Sequence, residues 1–245
     1  MLPKSNRSKK LVPVYRDEYI LRELQEGRDY NEICEYFDKN SIEGMWQKLN
    51  KLIKPNGAIA LFGSEPFSSQ LRCSNIKKYK YDWIWEKNKS TGYLNAKKQP
   101  MNSYETISVF YNKQCLYNPQ MGIGKSYNNK HKEGDSGECY GKVKESERKN
   151  ITTRYPRRNI SFNVDIKAEF HSTQKPVALM EYLIKTYTNE GEMVLDFTMG
   201  SGSTGVACKN LNRKFIGIEL DEKYYDISVE RIEEAQTKIE NKKEE

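Results

Sequence analysis

Asp196-Phe197-Thr198-Met199-Gly200-Ser201-Gly202-Ser203-Thr204-Gly205 is the stretch on which the fold turns. It follows an apolar run, residues 193–195, that reads as a buried strand ending at Asp196. It leads into a short helix, and a second strand, residues 215–218, ends at Glu219. A strand, a glycine turn, a helix and a second strand are the start of an α/β unit. The glycines at 200, 202 and 205 have the spacing G-x-G-x-x-G, which nominally matches a dinucleotide fingerprint with Glu219 as the later acid.

Two features turn the reading away from NAD or FAD. A pyrophosphate is an anion and seeks a bare helix N-terminus, where Asp196 at the mouth of the turn repels it. Only one strand and one helix follow, too little to complete a dinucleotide fold unless earlier residues finish the sheet. S-adenosylmethionine brings a sulfonium and an α-amino group, which a carboxylate attracts. The glycines allow close backbone approach, and Glu219 is placed to accept both ribose hydroxyls. A tight strand–helix turn without a ligand is the plain alternative.

The same alternation extends through the chain. Met45, Trp46, Leu49, Leu52 and Ile53 fall at helical spacing. Pro55-Asn56-Gly57 is a turn, residues 58–62 (AIALF) a buried strand, and Pro66 suits a helix start. Residues 81–85 (YDWIW) and 105–111 (ETISVFY) are rich in aromatic and β-branched residues and read as strands. Val177, Met180, Leu183, Ile184 and Tyr187 line one face of a helix that starts at Pro176. The last helix carries Tyr225, Val229, Ile232 and Ile239 on one face and ends in a solvated tail, ENKKEE. Near the N-terminus, residues 9–15 (KKLVPVY) suit a short edge strand and residues 17–27 a helix stopped by Gly27.

Composition narrows the function. The 245 residues fit one domain, or one with a large insertion; 36% are hydrophobic and 31% charged, enough apolar and aromatic residues for a core. Apolar runs of about five residues are far below the roughly 20 that a membrane helix needs, and MLPKSNRSKK has no apolar stretch behind it, so a signal peptide is not expected. Five scattered cysteines without a CxxC pair, and only two histidines, argue against disulfides and metal and fit a reducing cytoplasm. A net charge of +7 modestly favours polyanionic partners.

Several segments together resemble one family. His171-Ser-Thr-Gln-Lys-Pro176, DFTMGSGSTG and FIGIELDEKYY resemble the C-terminal half of the β-class amino methyltransferases of DNA. MWQKLNKLIKPNGAIALFGSEPF, YKYDWIWEKNKSTGYLNAKKQP, NSYETISVFYNK and Arg154-Tyr-Pro-Arg157 resemble its catalytic half and its insertion. The resemblance covers residues 43–235 in the family's permuted order, with the cofactor turn near the C-terminus. It implies an α/β, Rossmann-like, seven-stranded and mostly parallel sheet with helices on both faces. It divides the chain into an unassigned segment 1–42, a catalytic half 43–113, a loop-rich target-recognition insertion 114–165 and a cofactor half 166–240. It implies that S-adenosylmethionine is held by Thr173, Lys175 and Pro176, by the turn residues Asp196, Phe197, Gly200, Ser201, Gly202 and Thr204, and by Glu219. His171 reads as structural, since methyl transfer to an amine needs no imidazole.

The family's chemistry rests on a motif of the type Asp/Asn/Ser-Pro-Pro-Tyr/Phe/Trp. Its acid and a backbone carbonyl accept hydrogen bonds from the exocyclic amine and steer the lone pair toward the methyl, while its aromatic stacks on the flipped base. The motif is absent ahead of Met45, where ELQEGRDYNEICEYFDKNSIEG stands. Asp29-Tyr30 and Val12-Pro13-Val14-Tyr15 are partial substitutes, and the catalytic residues stay unassigned. The motif's strand normally separates the cofactor strand from residues 58–62, so a central gap is expected unless residues 9–15 fill that slot.

Residues 114–165 interleave cations, among them Lys125, Arg148, Arg154, Arg157 and Arg158, with Tyr117, Tyr127, Tyr140 and Tyr155. Cations for phosphates beside planar rings are the composition of a nucleic-acid surface, although acids such as Glu145 and Glu147 interrupt it. An ordinary charged loop is the alternative from composition alone; the resemblance implies double-stranded DNA contact through Arg154, Arg157 and Arg158. Lys97, Lys98 and Gln99 form a second candidate surface. The expected function is methyl transfer to an exocyclic amino group in DNA, adenine N6 ahead of cytosine N4, in a restriction-modification or phage setting. A catalytically silent relative that binds cofactor and DNA is the rival reading.

Overall fold

A computed structural model describes residues 42–131, 134–135, 142–164 and 174–244. The readings of residues 9–15 and 17–27, and both substitutes for the catalytic motif, lie outside the described residues. The described chain begins with α1 (Ile42–Leu52), β1 (Ile59–Gly63), α2 (Phe67–Ser74), β2 (Tyr79–Thr91) and β3 (Asn102–Phe110). It continues with β4 (Gly122–His131), β5 (Gly134–Asp135), β6 (Lys142–Val143), β7 (Ser146–Arg154) and β8 (Asn159–Ser161). It closes with α3 (Val177–Tyr187), β9 (Met193–Asp196), α4 (Ser203–Asn210), β10 (Lys214–Gly217) and α5 (Glu222–Glu244).

The α/β architecture is present. β1, β3, β2 and β8 form one sheet in that order, and β9 pairs with β10 in parallel. The larger sheet is mixed: β3 runs antiparallel to both β1 and β2, while β2 and β8 are parallel. Only the ten residues between Thr91 and Asn102 join β2 to β3, and a connection this short favours antiparallel neighbours. Among the described residues, β1 and β9 are not paired with each other.

β3 explains how helices cover both faces. Residues 107–110 are all buried, and successive side chains of a strand point to opposite faces. Ile107 and Val109 join Trp83, Trp85, Ile160 and the α3 residues Leu179 and Leu183 in one cluster. Phe110 faces the other way and packs with Trp46 and Leu49 of α1 and Leu71 of α2. Trp46 lies 4.7 Å from the Phe110 ring. A third cluster holds Ile184 of α3, Ala207 and Cys208 of α4, Phe215 of β10 and Ile232 of α5. Because α3 contributes to the first and third clusters, it ties the β9–β10 ladder to the larger sheet. Burying each large side chain contributes about 1.5–3 kcal/mol.

Polar partners complete the first cluster. Trp83 Nε1 donates to Tyr187 Oη at 2.6 Å, and the Tyr81 and Tyr187 hydroxyls share a hydrogen bond of 2.8 Å. Trp85 Nε1 donates to the Phe162 carbonyl at 2.8 Å.

The chain divides into two compact units, and Pro119–Arg157 is the smaller. Its main feature is an antiparallel pair of long strands, β4 and β7, rather than the loops and short strands that its sparse aliphatic residues suggest. Arg154 stabilises that pair. Its guanidinium lies 4.1 Å from the Tyr127 ring and donates to the carbonyls of Lys125, at 2.5 Å, and Ile151, at 3.2 Å. The predicted C-terminal tail is instead a continuation of α5 through Glu244. No helix among the described residues is long and apolar enough to cross a membrane.

Candidate functional site

β9 and β10 run side by side with Leu195 opposite Ile216 and Asp196 opposite Gly217. That register places Asp196 at the end of one strand and Glu219 just past the end of its neighbour. Hydrogen bonds stitch the glycine turn to both acids. Thr204 Oγ1 donates to Asp196 Oδ2 at 2.5 Å, and the Thr198 N–H donates to Oδ1 at 3.1 Å. The Gly200 N–H donates to Glu219 Oε2 at 2.8 Å, and the Asp221 N–H to Oε1 at 3.0 Å. Burial pushes the Asp196 carboxyl above the usual Asp range, and the negative Glu219 adds to the rise; the bonds from Thr204 and Thr198 oppose it. Carboxylate oxygens have about four acceptor sites, so capacity remains on each acid for a ligand's donors.

The three glycines serve different ends. Gly200 and Gly202 have φ of 51° and 79°, the left-handed region that favours glycine. A Cβ on Gly202 would also stand 2.8 Å from Ser228 Cβ in α5. A Cβ on Gly205 would meet Ile232 Cδ1 at 2.3 Å and Phe215 Cε1 at 2.7 Å. Two of the three glycines therefore let α5 pack closely against the turn and α4, a reason the spacing alone does not reveal.

Asp196 and Glu219 line one cavity of about 1410 Å³ together with Phe197, Gly200, Ser201 and Thr204. This exceeds the roughly 300–1,000 Å³ of ordinary small-ligand pockets. Its other walls include residues of α1, β1, α2 and α3 and of the β9–β10 ladder. Ser203, inside the 196–204 turn that the resemblance assigns to the cofactor, lines the same cavity. Its Oγ is buried without a hydrogen-bond partner at the first position of α4, where a ligand's polar group would satisfy it. Ser201 Oγ donates to Gln174 at 3.1 Å and accepts from Arg231 at 2.9 Å.

Lys175 lines the cavity but is already engaged. Its Nζ lies 2.9 Å from Glu105 Oε2, which also pairs with Lys87 through the other oxygen at 3.2 Å. The same Nζ stands 5.2 Å from the Phe62 ring and 5.9 Å from the Trp85 ring. Burial raises the Glu105 carboxyl, but Lys175 and then Lys87 outweigh it and hold the group below the usual Glu range. Glu105 is a residue the sequence reading missed; no local pattern connects it to Lys175, seventy positions away. Pro176 caps the N-terminus of α3 with an extended backbone, φ −61° and ψ 134°. Thr173 lies outside the described residues.

The three predicted DNA-contacting arginines divide. Arg154 is spent within its own strand pair, as described above. Arg157 is exposed in the smaller unit. Arg158 belongs to the larger unit, where its carbonyl accepts from the Ile84 N–H at 2.9 Å and its guanidinium stands 6.0 Å from the Tyr81 ring.

Comparisons with known proteins agree with this architecture. The chain is 48% identical over 63 residues to the type II methyltransferase M2.DpnII of Streptococcus pneumoniae, covering 26% of this chain and 24% of that protein. It is 46% identical over 63 residues to M.HpaI of Haemophilus parainfluenzae, covering 26% and 20%. The matched segments thus span about a quarter or less of these curated relatives. Among solved structures, the M1.HpyAVI–SAM complex superimposes with a TM-score of 0.56 at 28% identity, covering 80% of this chain and 84% of that one. The cytosine-N4-specific PvuII DNA methyltransferase shares the fold, with a TM-score of 0.54 at 15% identity over 88% and 81%. The N6_N4_Mtase family model, described as DNA methylase, matches residues 6–230, and the chain belongs to that family.

Proposed function

We infer that this protein transfers a methyl group from S-adenosylmethionine to an exocyclic amino group of a base in double-stranded DNA, with adenine N6 as the preferred acceptor. The observation that carries the reading is the pair of acids at neighbouring strand ends, both lining one cavity beside a glycine turn. The similar M1.HpyAVI structure is a complex with SAM, which supports the choice of donor. The preference for adenine rests on the resemblance of the motifs.

The donor set fits the cofactor. Asp196 carries the charge that a sulfonium or ammonium seeks, in a partly buried setting where an ion pair is stronger than in water. Glu219 is held by two backbone N–H groups and accepts the ribose hydroxyls. Ser203 Oγ and the turn's backbone are within the same cavity for the remaining polar groups. Phe197 and Thr204 line the wall beside Asp196, and Gly200, Ser201 and Gly202 shape the turn. Lys175 and Pro176 act at the start of α3, where the Lys175–Glu105 pair fixes one rim. The cofactor supplies an electrophilic methyl group whose departure needs no acid catalyst. The protein's task is to hold the acceptor nitrogen in line and exclude water.

We propose residues 43–113 and 166–240 as the two halves of the methyltransferase domain and residues 114–165 as the target-recognition insertion. Arg157 and Arg158 are the proposed phosphate contacts there. The smaller unit spans a narrower range, Pro119–Arg157.

A specific observation favours a second reading: the sequence has no Pro-Pro-Tyr motif to hold the acceptor amine. A silent relative would bind cofactor and DNA without transfer. Transfer of tritiated methyl from S-adenosylmethionine to mixed-sequence duplex DNA, run beside a cofactor titration, decides. Transfer into duplex supports the first reading, binding without transfer selects the second, and no cofactor binding refutes both.

A further inference from the structure

The tip joining β2 to β3 has no part in the cofactor site. All residues from 88 to 101 are exposed. Leu94 is 96% exposed and Tyr93 78%, and Met101 and Tyr104, at the return into β3, are exposed as well. Large apolar side chains held this far into water mark contact surfaces when they cluster.

The exposure is not the fraying of an unpaired loop. Gly92 turns the chain at φ 88°, and Tyr93–Asn95 form one turn of 3₁₀ helix. The Asn95 N–H donates to the Gly92 carbonyl at 2.9 Å, the Ala96 N–H to Tyr93 at 3.0 Å and the Lys98 N–H to Asn95 at 2.8 Å. Thr91 Oγ1 donates to the Asn102 carbonyl at 3.3 Å, closing the base of the tip. The backbone is satisfied locally, so Tyr93 and Leu94 are presented on an ordered support.

The charge around them has one sign. Between residues 87 and 104 the sequence holds four lysines and no acid. Lys87 is paired with Glu105, while Lys89, Lys97 and Lys98 are exposed without a carboxylate partner among the described residues. Cations of one sign around an aromatic and a branched apolar side chain complement phosphates flanking base surfaces. Such surfaces accept stacked rings and inserted apolar wedges.

We propose that this β2–β3 tip is a duplex-DNA contact separate from the 119–157 unit, with Lys89, Lys97 and Lys98 on phosphates and Tyr93 and Leu94 against base surface. It rests on the DNA-methyltransferase reading and extends it to a surface that reading does not use.

The test uses the full chain and a mixed-sequence 30-base-pair duplex. Lys89→Ala with Lys97→Ala and Lys98→Ala weakens binding about 10-fold or more at 0.1 M salt and lowers the salt slope by up to about 2.7, at 0.9 per phosphate contact. Tyr93→Ala with Leu94→Ala weakens binding about 5-fold or more and leaves the slope unchanged, because no charge is removed. Tyr93→Trp adds an exposed indole to a protein whose own tryptophans are buried, and duplex DNA quenches it. Thermal unfolding matched to the wild type verifies that each variant is folded. Wild-type DNA binding with an unaltered slope in the triple variant, or an indole blind to DNA, overturns the tip but not the methyltransferase reading. A wild type that binds no duplex overturns both. An indole that responds to phosphatidylserine vesicles and not to DNA assigns the tip to a membrane surface and overturns the proposal.

Discussion

Asp196→Asn separates what the acid does for folding from what it does for binding. The amide keeps the shape of the carboxyl, so its Oδ1 still accepts from the Thr198 N–H and Thr204 Oγ1 rotates to accept from Nδ2. What disappears is the charge. At about 5 Å and an effective dielectric near 20, that charge attracts a sulfonium or ammonium by about 3 kcal/mol, which corresponds to roughly 100-fold in affinity. At a concentration 100 times the wild-type dissociation constant, S-adenosylmethionine stabilises the wild type by about 2.7 kcal/mol. The 100-fold weaker variant at the same concentration gains only about 0.4 kcal/mol. For a chain of this size these are rises in Tm of roughly 5–11 °C and 1–2 °C.

The unliganded protein behaves in the opposite sense. Burial and Glu219 raise the Asp196 pKa, so the acid takes up a proton more readily in the folded chain than in the unfolded one. Its favourable contribution is fully present below the ordinary Asp range and is lost as pH rises through the raised value. At neutral pH the Asp196→Asn substitution therefore leaves the unliganded fold as stable as the wild type or more so. Wild-type cofactor affinity falls as pH drops through the raised Asp196 value, and the variant loses this dependence. Thermal unfolding with and without cofactor, repeated over a pH series from neutral down to the ordinary Asp range, reads all of these quantities. Equal thermal shifts in the two proteins would refute the charge argument and remove Asp196 from the site.

Four further predictions concern packing and charge. Gly205→Ala forces a methyl group against Ile232 and the buried Phe215 ring, so overpacking destabilises the fold by about 1–3 kcal/mol; a urea midpoint equal to the wild type would count against the close α4–α5 packing. Glu105→Gln leaves Lys87 and Lys175 facing each other without a counter-charge. Because the Glu105 pKa is depressed, its stabilisation is present above the ordinary Glu range and is lost as pH falls through the depressed value, so the gap between wild type and variant narrows in acid; a gap independent of pH contradicts the pairing. Arg157→Ala lowers the salt slope of duplex binding by about 0.9 if it holds one phosphate, whereas Arg154→Ala loosens the β4–β7 pair, read as faster amide hydrogen exchange across those strands. Exchange unaffected by Arg154→Ala would show that this guanidinium is not what secures the pair.

Much of the framework was legible because it is local. Helical periodicity in α1 and α3, the strand runs of β1 and β9, and an acid closing each strand of the β9–β10 ladder are all relations between residues a few positions apart. They are enough to identify an α/β chain with a glycine turn that favours a cationic ligand. Boundaries shifted where charge or polarity broke the pattern. β2 runs past Trp85 into Lys87 and Lys89, and α5 continues through the lysines and glutamates read as tail.

Tertiary structure decided what depends on residues far apart in the chain. Inserting β3 between β1 and β2 is a choice of strand partners, which hydrogen-bond geometry settles after the strands exist. The role of Gly205 depends on Ile232 arriving from another helix, and the partner of Lys175 is supplied by β3. The long β4–β7 pair escapes periodicity analysis because its stability comes from backbone ladders and an arginine stacked on a tyrosine, with few aliphatic side chains to signal a strand. Sequence specifies which faces are apolar and where charges sit; only the folded chain specifies which of those charges already have partners and which remain for a ligand.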